Sequence, residues 1–264
     1  MWFCGDIVTV PFTHVMITPS YASGFAYNWE LSGGFADPVP WEFVVQQAPA
    51  PTGPWTSIST STRMYRWAET VSRQINKDAV LYFRIQMITP KGTYVSNTVM
   101  PYGDLNKREY LIAQDIMRQE TLHARTLAGT PGQIWLVSTF GPRCTVCIDP
   151  ITGGVRDAHC KICFGTGRLP AYHGPYETWW TFSNPTKTTQ MSPDGAGTVD
   201  PRTFTVRMIG TPTMKKNDLV VDTGTGKRYY VDTVQVVAEI RRIPIVQMLT
   251  VHEAPLSDVA YKVV

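Results

Sequence analysis

Two pairs of closely spaced cysteines constrain this chain more than any other feature of its sequence. Cys144 and Cys147 form one CxxC pair, twelve residues follow, and Cys160 and Cys163 form the second pair. Each pair can present two thiolates from one tight turn, and two facing turns supply the four sulfurs of a tetrahedral metal site. Turn-forming residues flank both pairs, with Asp-Pro after the first and two glycines after the second. The spacing therefore predicts a Cys4 metal site.

Zinc is the metal that this spacing favours. We expect a Cys4 zinc ribbon with a structural Zn²⁺ bound by Cys144, Cys147, Cys160 and Cys163. Four protein ligands leave no position for water, so such a site stabilises the fold and does not catalyse. His159, next to the second pair, could replace one of the cysteine ligands. Two disulfides in an exported protein, or four reduced thiols that only pack, would also fit the spacing.

Other features favour a reduced, non-catalytic protein. The chain does not open on a charged segment followed by an apolar run, and no apolar stretch approaches about 18 residues. We therefore expect neither a secretory signal nor a membrane span, and a reducing cytosol in which Cys4 stays a free thiol. No HxE or HExxH pattern accompanies the cysteines. Because deaminase or protease chemistry would have no general base here, we expect no enzyme activity.

Length and composition predict several small domains built mainly from β-strands. At 264 residues the chain exceeds the usual size of a single domain, and its 20 glycines and 20 prolines indicate many turns. The net charge is only +3, with 17% charged residues, whereas nucleic-acid-binding proteins normally show a concentrated basic face. We therefore expect no direct nucleic-acid binding. Three regions are predicted, at residues 1–103, 104–184 and 185–264.

Residues 1–103 are predicted to form a β-sandwich with Trp29 and Phe83 in its core. Alternating apolar residues and intervening turn residues indicate seven short strands: 13–18, 26–31, 41–47, 55–58, 67–71, 81–87 and 93–99. The segments Asn28-Trp29-Glu30-Leu31 and Leu81-Tyr-Phe-Arg-Ile-Gln-Met87 resemble the second and sixth strands of a fibronectin type III domain. The resemblance implies a fibronectin type III-like β-sandwich. Such a domain recognises a partner through its surface or serves as a spacer, and it does not catalyse.

Residues 104–184 begin with a predicted helix from Lys107 to Ala128, followed by the zinc ribbon. A strand is predicted before the ribbon at 134–140, and another after it at 178–182. Asn106 and Glu109 have capping-box spacing at the start of the helix, and Gly129 ends it. Apolar residues at helical spacing form one stripe: Tyr110, Ala113, Met117, Ala124 and Leu127. This long helix either packs on its own ribbon or forms an interface between subunits. Its many charged residues favour the interface.

Residues 185–264 are predicted to form a small β-barrel. A linker rich in Thr, Ser, Gly and Pro extends to Pro201, and strands follow at 203–209, 218–222, 227–237, 243–251 and 259–264. Five strands in about sixty residues are typical of a small barrel. The segment Gly224-x-Gly226-Lys227 joins two strands instead of opening a helix, which excludes a phosphate-binding loop.

Spaced motifs across residues 105–264 resemble virion structural proteins of tailed bacteriophages. The motifs are Glu109-Tyr-Leu-Ile-Ala, Cys-x-x-Cys-x-Asp-Pro-x-Thr-Gly, Asp157-x-x-Cys-x-x-Cys-Phe-Gly-Thr-Gly167, Ile243-Pro-x-Val-Gln and Ser257-Asp-x-Ala-Tyr261. The resemblance implies a non-enzymatic structural protein, a homo-oligomer that forms a ring at the neck or collar, the head-to-tail junction. Its expected partners are other neck, tail or portal-associated proteins. Its expected location is the virion, after assembly in the host cytoplasm.

Two further functions stay open. The first is a baseplate or other tail structural protein, because the resemblance does not fix the position along the particle. The second is a zinc-ribbon nucleic-acid-binding module with an appended fibronectin-like domain. Such a module would concentrate basic residues near the ribbon, whereas the basic residues of this region are spread over 26 positions: Arg143, Arg156, Lys161 and Arg168.

Overall fold

The computed structural model describes residues 11–19, 25–32, 35, 37–61, 67–68, 81–100, 107–183, 203–241 and 243–263. Cys4, the capping residue Asn106 and the linker that ends at Pro201 lie outside the described residues. The protein is mainly β, and it divides into two compact units. The first unit comprises Met1–Lys107 with Thr139–Gly141, and the second comprises Arg108–Ser138 with Pro142–Val264.

The first unit is a sandwich of two antiparallel sheets. Its strands are β1 Phe12–Pro19, β2 Phe25–Leu31, β3 Glu42–Ala48, β4 Thr56–Ser61, β5 Trp67–Ala68, β6 Tyr82–Ile88 and β7 Thr93–Val95. One sheet has the order β1-β2-β5, and the other has the order β4-β3-β6-β7. Seven strands in two sheets confirm the predicted sandwich architecture, and the predicted strand from 67 to 71 is described only at Trp67–Ala68.

Aromatic side chains from both sheets fill the core of the sandwich. The alternation in β6 buries Phe83, Ile85 and Met87, as the sequence pattern predicts. Trp29 of β2 packs against Phe43 of β3, with ring centroids 5.1 Å apart. Burying one such aromatic side chain contributes about 3 kcal/mol. Trp29 and Phe83 therefore lie in the core as expected.

One α-helix occurs among the described residues, and its C-terminal end departs from regular α-helical geometry. The helix α1 spans Lys107–His123 and continues as a π-helical turn over Ala124–Ala128. Tyr110, Ala113 and Met117 are buried along the predicted stripe. Leu127 was expected on the same stripe but is 77% exposed. The wider i→i+5 turn changes the rotation per residue and directs Leu127 away from that stripe.

The second unit contains a closed antiparallel barrel of six strands. These strands are β8 Thr130–Val137, β9 Tyr172–Ser183, β10 Thr203–Ile209, β11 Leu219–Asp222, β12 Arg228–Ile240 and β13 Ile243–Glu253, in the order β10-β13-β12-β11-β8-β9. The barrel thus takes β8 and β9 from residues 104–184, where strands were predicted at 134–140 and 178–182 on either side of the ribbon but were not assigned to the barrel. Closure leaves the central part of the sheet without exposed edges.

The C-terminal segment ends in a short 3₁₀ helix, not in the expected strand at 259–264. This helix spans Val259–Lys262, and the side chain of Asp258 accepts a hydrogen bond from the backbone N–H of Ala260. Aspartate at this position satisfies a free backbone donor and so favours a helical turn over an extended strand. Ala260 is buried with Trp135 and Leu219 in one apolar cluster of the barrel.

The described part of the chain has no helix that combines the length and the apolar character needed to cross a membrane.

Candidate metal centre

All four predicted ligands lie in one loop between β8 and β9, residues 138–171, which we call the metal loop. Backbone pairing folds it into a compact double turn. The N–H of Cys144 donates to the carbonyl of Gly167 at 2.9 Å, and the N–H of Arg156 donates to the carbonyl of Cys147 at 2.7 Å. An isolated antiparallel bridge joins Ile148 to Val155. These contacts turn the two CxxC segments toward each other.

The four sulfurs form a buried group of suitable size for one metal ion. Cys144, Cys147, Cys160 and Cys163 are each at most 4% exposed, and their sulfurs all lie within 4.8 Å of one another. The sulfurs of Cys147 and Cys163 are 3.0 Å apart. A tetrahedron with metal–sulfur bonds of about 2.3 Å has edges of about 3.8 Å. These residues form no disulfide, so the four thiols could hold a metal ion.

Two glycines permit the close packing of the second CxxC pair. Gly165 and Gly167 have φ angles of +79° and +73°, in the left-handed region that other residues rarely adopt. A Cβ at Gly167 would lie 2.7 Å from a methyl group of Val155, and a Cβ at Gly165 would collide with the carbonyl oxygen of Ala158. Both positions therefore require glycine, which explains the Gly-x-Gly segment that follows Cys163.

Backbone donors favour the thiolate form at the first cysteine of each pair. Hydrogen bonds from N–H groups two and three residues further along lower the pKa of Cys144 to about 7, and the same arrangement lowers the pKa of Cys160. The pKa of Cys147 is raised, chiefly by its hydrogen bond with Cys163, and burial raises the pKa of Cys163. A metal ion is bound by thiolates, and its positive charge opposes the raised values.

An aspartate outside the ligand set shapes the turn between the two pairs. The carboxylate of Asp149 accepts a hydrogen bond from the N–H of Ile151 at 2.8 Å and forms an ion pair with Arg156 at 3.2 Å. Backbone hydrogen bonds are the largest cause of the lowered pKa of Asp149. The Asp-Pro pair signals a turn in the sequence, but nothing in the local pattern reveals that Asp149 also binds Arg156.

The possible ligand His159 is exposed, and the group of metal-binding side chains found among the described residues consists of the four cysteines. The carboxylate of Asp157 accepts a hydrogen bond from the backbone N–H of His159 at 2.8 Å. Four sulfurs without an exposed coordination position suit a structural metal ion.

Comparison with known proteins identifies no family. No family model matches the sequence, and no curated protein matches it. Among solved structures, the chain is similar to one described as "Titin kinase and its flanking domains", with 8% sequence identity and a TM-score of 0.28. The match covers 92% of this chain and 37% of that chain, so this chain spans little more than a third of its length. A similarity this weak carries no argument about function.

Proposed function

We propose that this chain is a non-enzymatic structural component of a tailed-bacteriophage particle that self-associates in a ring at the neck. The phage assignment is supported by the spaced motifs of residues 105–264 described above. The observation that carries a structural role is the group of four buried sulfurs, because these would complete a tetrahedral coordination sphere around a metal ion and leave no place for a substrate. We further propose that the metal is Zn²⁺, which prefers four thiolates in this geometry.

The attachment of the helix α1 to the barrel supports its use as an assembly surface. One face of α1 is buried, and ion pairs fix both ends: Glu109 with Arg241 at 2.9 Å and Glu120 with Arg207 at 2.6 Å. Each end of the helix is therefore attached to the barrel by one ion pair. Apolar side chains remain exposed on its other faces: Leu111, Ile112 and Leu122. In the proposed ring, these exposed apolar side chains would contact the neighbouring subunit.

The ring proposal is tested by deletion and by light scattering. A fragment of residues 104–264 contains α1, the metal loop and the barrel, and it should form the same oligomer as the full chain. A Leu111→Glu, Leu122→Glu double variant should dissociate that oligomer, whereas Leu256→Glu, the same change at another exposed leucine, should not. A full-length chain that stays monomeric at high concentration would end the ring proposal.

The position of the protein in the particle is tested by antibody labelling. Antibody raised against the purified chain should bind intact tailed particles at the head-to-tail junction in electron micrographs. Label confined to the baseplate would move the protein to the other end of the tail. Absence of the protein from purified particles would contradict the proposed function altogether.

A further inference from the structure

The second half of β12 has no neighbouring strand on one of its two sides among the described residues. At its start β12 lies between β11 and β13, but past Val231 it continues beside β13 alone. The backbone of Val231 makes the last hydrogen bonds on the open side, with Asn217 and Asp218. Within the described part of the chain, no hydrogen bond reaches the open side of residues 233–240, which we call the open edge.

The open edge is also accessible to solvent on both of its faces. None of residues 233–240 is buried, and Val236 and Val237 are each 44% exposed, whereas Val246 on the adjacent β13 is buried. Register shifts at Asp232 and Val237 mark two β-bulges, which bend the strand but leave hydrogen-bonding groups on its open side. A strand edge of this length is a template for pairing with another strand.

The residue types of the open edge do little to prevent such pairing. Edge strands are commonly protected by lysine, by proline or by inward-pointing charges. Residues 233–240 contain neither lysine nor proline, and Glu239 is their one charged residue. Their valine, threonine and isoleucine residues have a high preference for strands. The open edge therefore favours a partner strand that is itself mainly apolar and uncharged.

We propose that the open edge pairs with the same edge of a second copy of this chain, antiparallel about a two-fold axis. In the centred register, Val236 of each copy lies opposite Val237 of the other, and such β-branched pairs stabilise a sheet. Glu239 lies opposite Val234, so the two glutamates are five positions apart along the strands, which is about 17 Å. This distance is about twice the screening length at physiological ionic strength, so the like charges do not oppose the contact.

This contact differs from the ring contact proposed for α1. A two-fold contact joins two copies through the same surface and then closes, whereas a ring requires two different surfaces on each copy. The pairing also uses backbone hydrogen bonds between strands, which the side chains of a helix surface do not supply. The inference therefore does not rest on the proposed role in a phage particle.

Hydrogen exchange of the metal-loaded full chain over a range of protein concentrations tests the proposal. Open-side amides of residues 233–240 should exchange about tenfold or more slowly well above the dissociation constant than well below it, because pairing closes their hydrogen bonds. An exchange rate independent of concentration would overturn the proposal. Fast exchange throughout would show an unpaired edge, and slow exchange throughout would show that another segment of the same chain covers it.

Lysine substitutions test the contact itself by sedimentation equilibrium. Val236→Lys and Val237→Lys should each weaken dimerisation by about tenfold or more, because each places a charge opposite a valine of the second copy. Val39→Lys makes the same change at a 51% exposed valine of the first unit and should dimerise like the unaltered chain. Unfolding temperatures below the dissociation constant should be similar in all four proteins, since the three valines are solvent-exposed. Dimerisation that is unchanged in both edge variants would contradict the pairing.

A helix variant separates this contact from the proposed ring. The double variant Leu111→Glu, Leu122→Glu should still form a dimer and still show concentration-dependent protection of residues 233–240. Loss of that protection in the helix variant would assign the self-association to α1 and overturn the edge pairing. A dimer that persists in the helix variant and disappears in Val236→Lys would support the pairing even if no ring forms.

Discussion

The buried side chain of Gln247 should be one of the most sensitive positions in the barrel. It lies on β13, is fully buried, and joins the strand to the segment after β10. Its Nε2 group donates to the carbonyls of Ile209, at 3.0 Å, and Pro212, and its Oε1 atom accepts from the N–H of Met214 at 3.2 Å. Three backbone groups in the interior therefore depend on one side chain.

The change Gln247→Leu keeps the approximate volume of the side chain and removes all three hydrogen bonds. A typical hydrogen bond contributes about 1 kcal/mol net, and a buried group left without a partner costs about 1–3 kcal/mol. Three such groups, each near the lower end of that range, give an expected loss of about 3–5 kcal/mol in the free energy of unfolding. For a unit of this size, that loss lowers the unfolding temperature by about 6–20 °C.

A second substitution separates hydrogen bonding from packing. Gln247→Glu has nearly the same shape, but an ionised carboxylate cannot donate to the carbonyls of Ile209 and Pro212. We expect it to destabilise the barrel at least as much as Gln247→Leu, because it also buries a charge. Gln235→Leu, on the exposed face of β12, is the matched control and should change the stability by less than about 0.5 kcal/mol.

Scanning calorimetry measures the stabilities, and hydrogen exchange at residues 209–214 locates the change. The expected result is faster exchange in this segment for both Gln247 variants and normal exchange for the control. If Gln247→Leu unfolded at the same temperature as Gln235→Leu, the three backbone groups would have other partners and the reasoning would be refuted.

Three further predictions concern the metal, the buried histidine and the sandwich. Elemental analysis should find about one zinc per chain, and Cys163→Ser should abolish it. Burial lowers the pKa of His173 to about 4, whereas the pKa of histidine in the unfolded chain is about 6.5. Between these two values the unfolded state binds more protons, so the free energy of unfolding falls by about 3 kcal/mol as the pH drops from about 6.5 to about 4. In urea unfolding, His173→Gln should lack this loss, and the control variant His123→Gln should keep it. Phe83→Ala should cost about 3–5 kcal/mol in calorimetry, whereas the exposed Ile88→Ala on the same strand should cost little.

Sequence patterns predicted the elements that depend on residues close together in the chain. Alternation along β6 depends on residues two apart, and the sulfur group depends on two CxxC turns within one loop. Both were predicted, because the burial and the turn chemistry act over a few residues. The C-terminal end of α1 could not be predicted in this way. The same residues fit an α-helical or a π-helical turn, and the π-helical turn directs Leu127 toward solvent.

The membership of the barrel could not be predicted in the same way. β8 was recognised as a strand, but its partner β11 lies more than eighty positions later, where Leu219 pairs with Trp135. Strand patterns state which residues face the core and do not state which strand supplies the neighbouring edge. Gln247 was missed for the same reason. Its polar side chain fits the interior only because the segment at 209–214 folds over it.

The long metal loop between β8 and β9 needs a source of stability other than its small apolar core. Residues 138–171 connect two neighbouring antiparallel strands, a connection that a few residues could make. The buried cluster at its centre consists of the four cysteines, with only Ile148 and Leu169 packed against it. So small an apolar core cannot offset the conformational entropy of ordering such a loop. Metal–thiolate bonds, at about 10 kcal/mol or more for such sites, would be sufficient. Metal removal should therefore disorder this loop first, while β8 and β9 stay paired through their direct hydrogen bonds in the closed barrel.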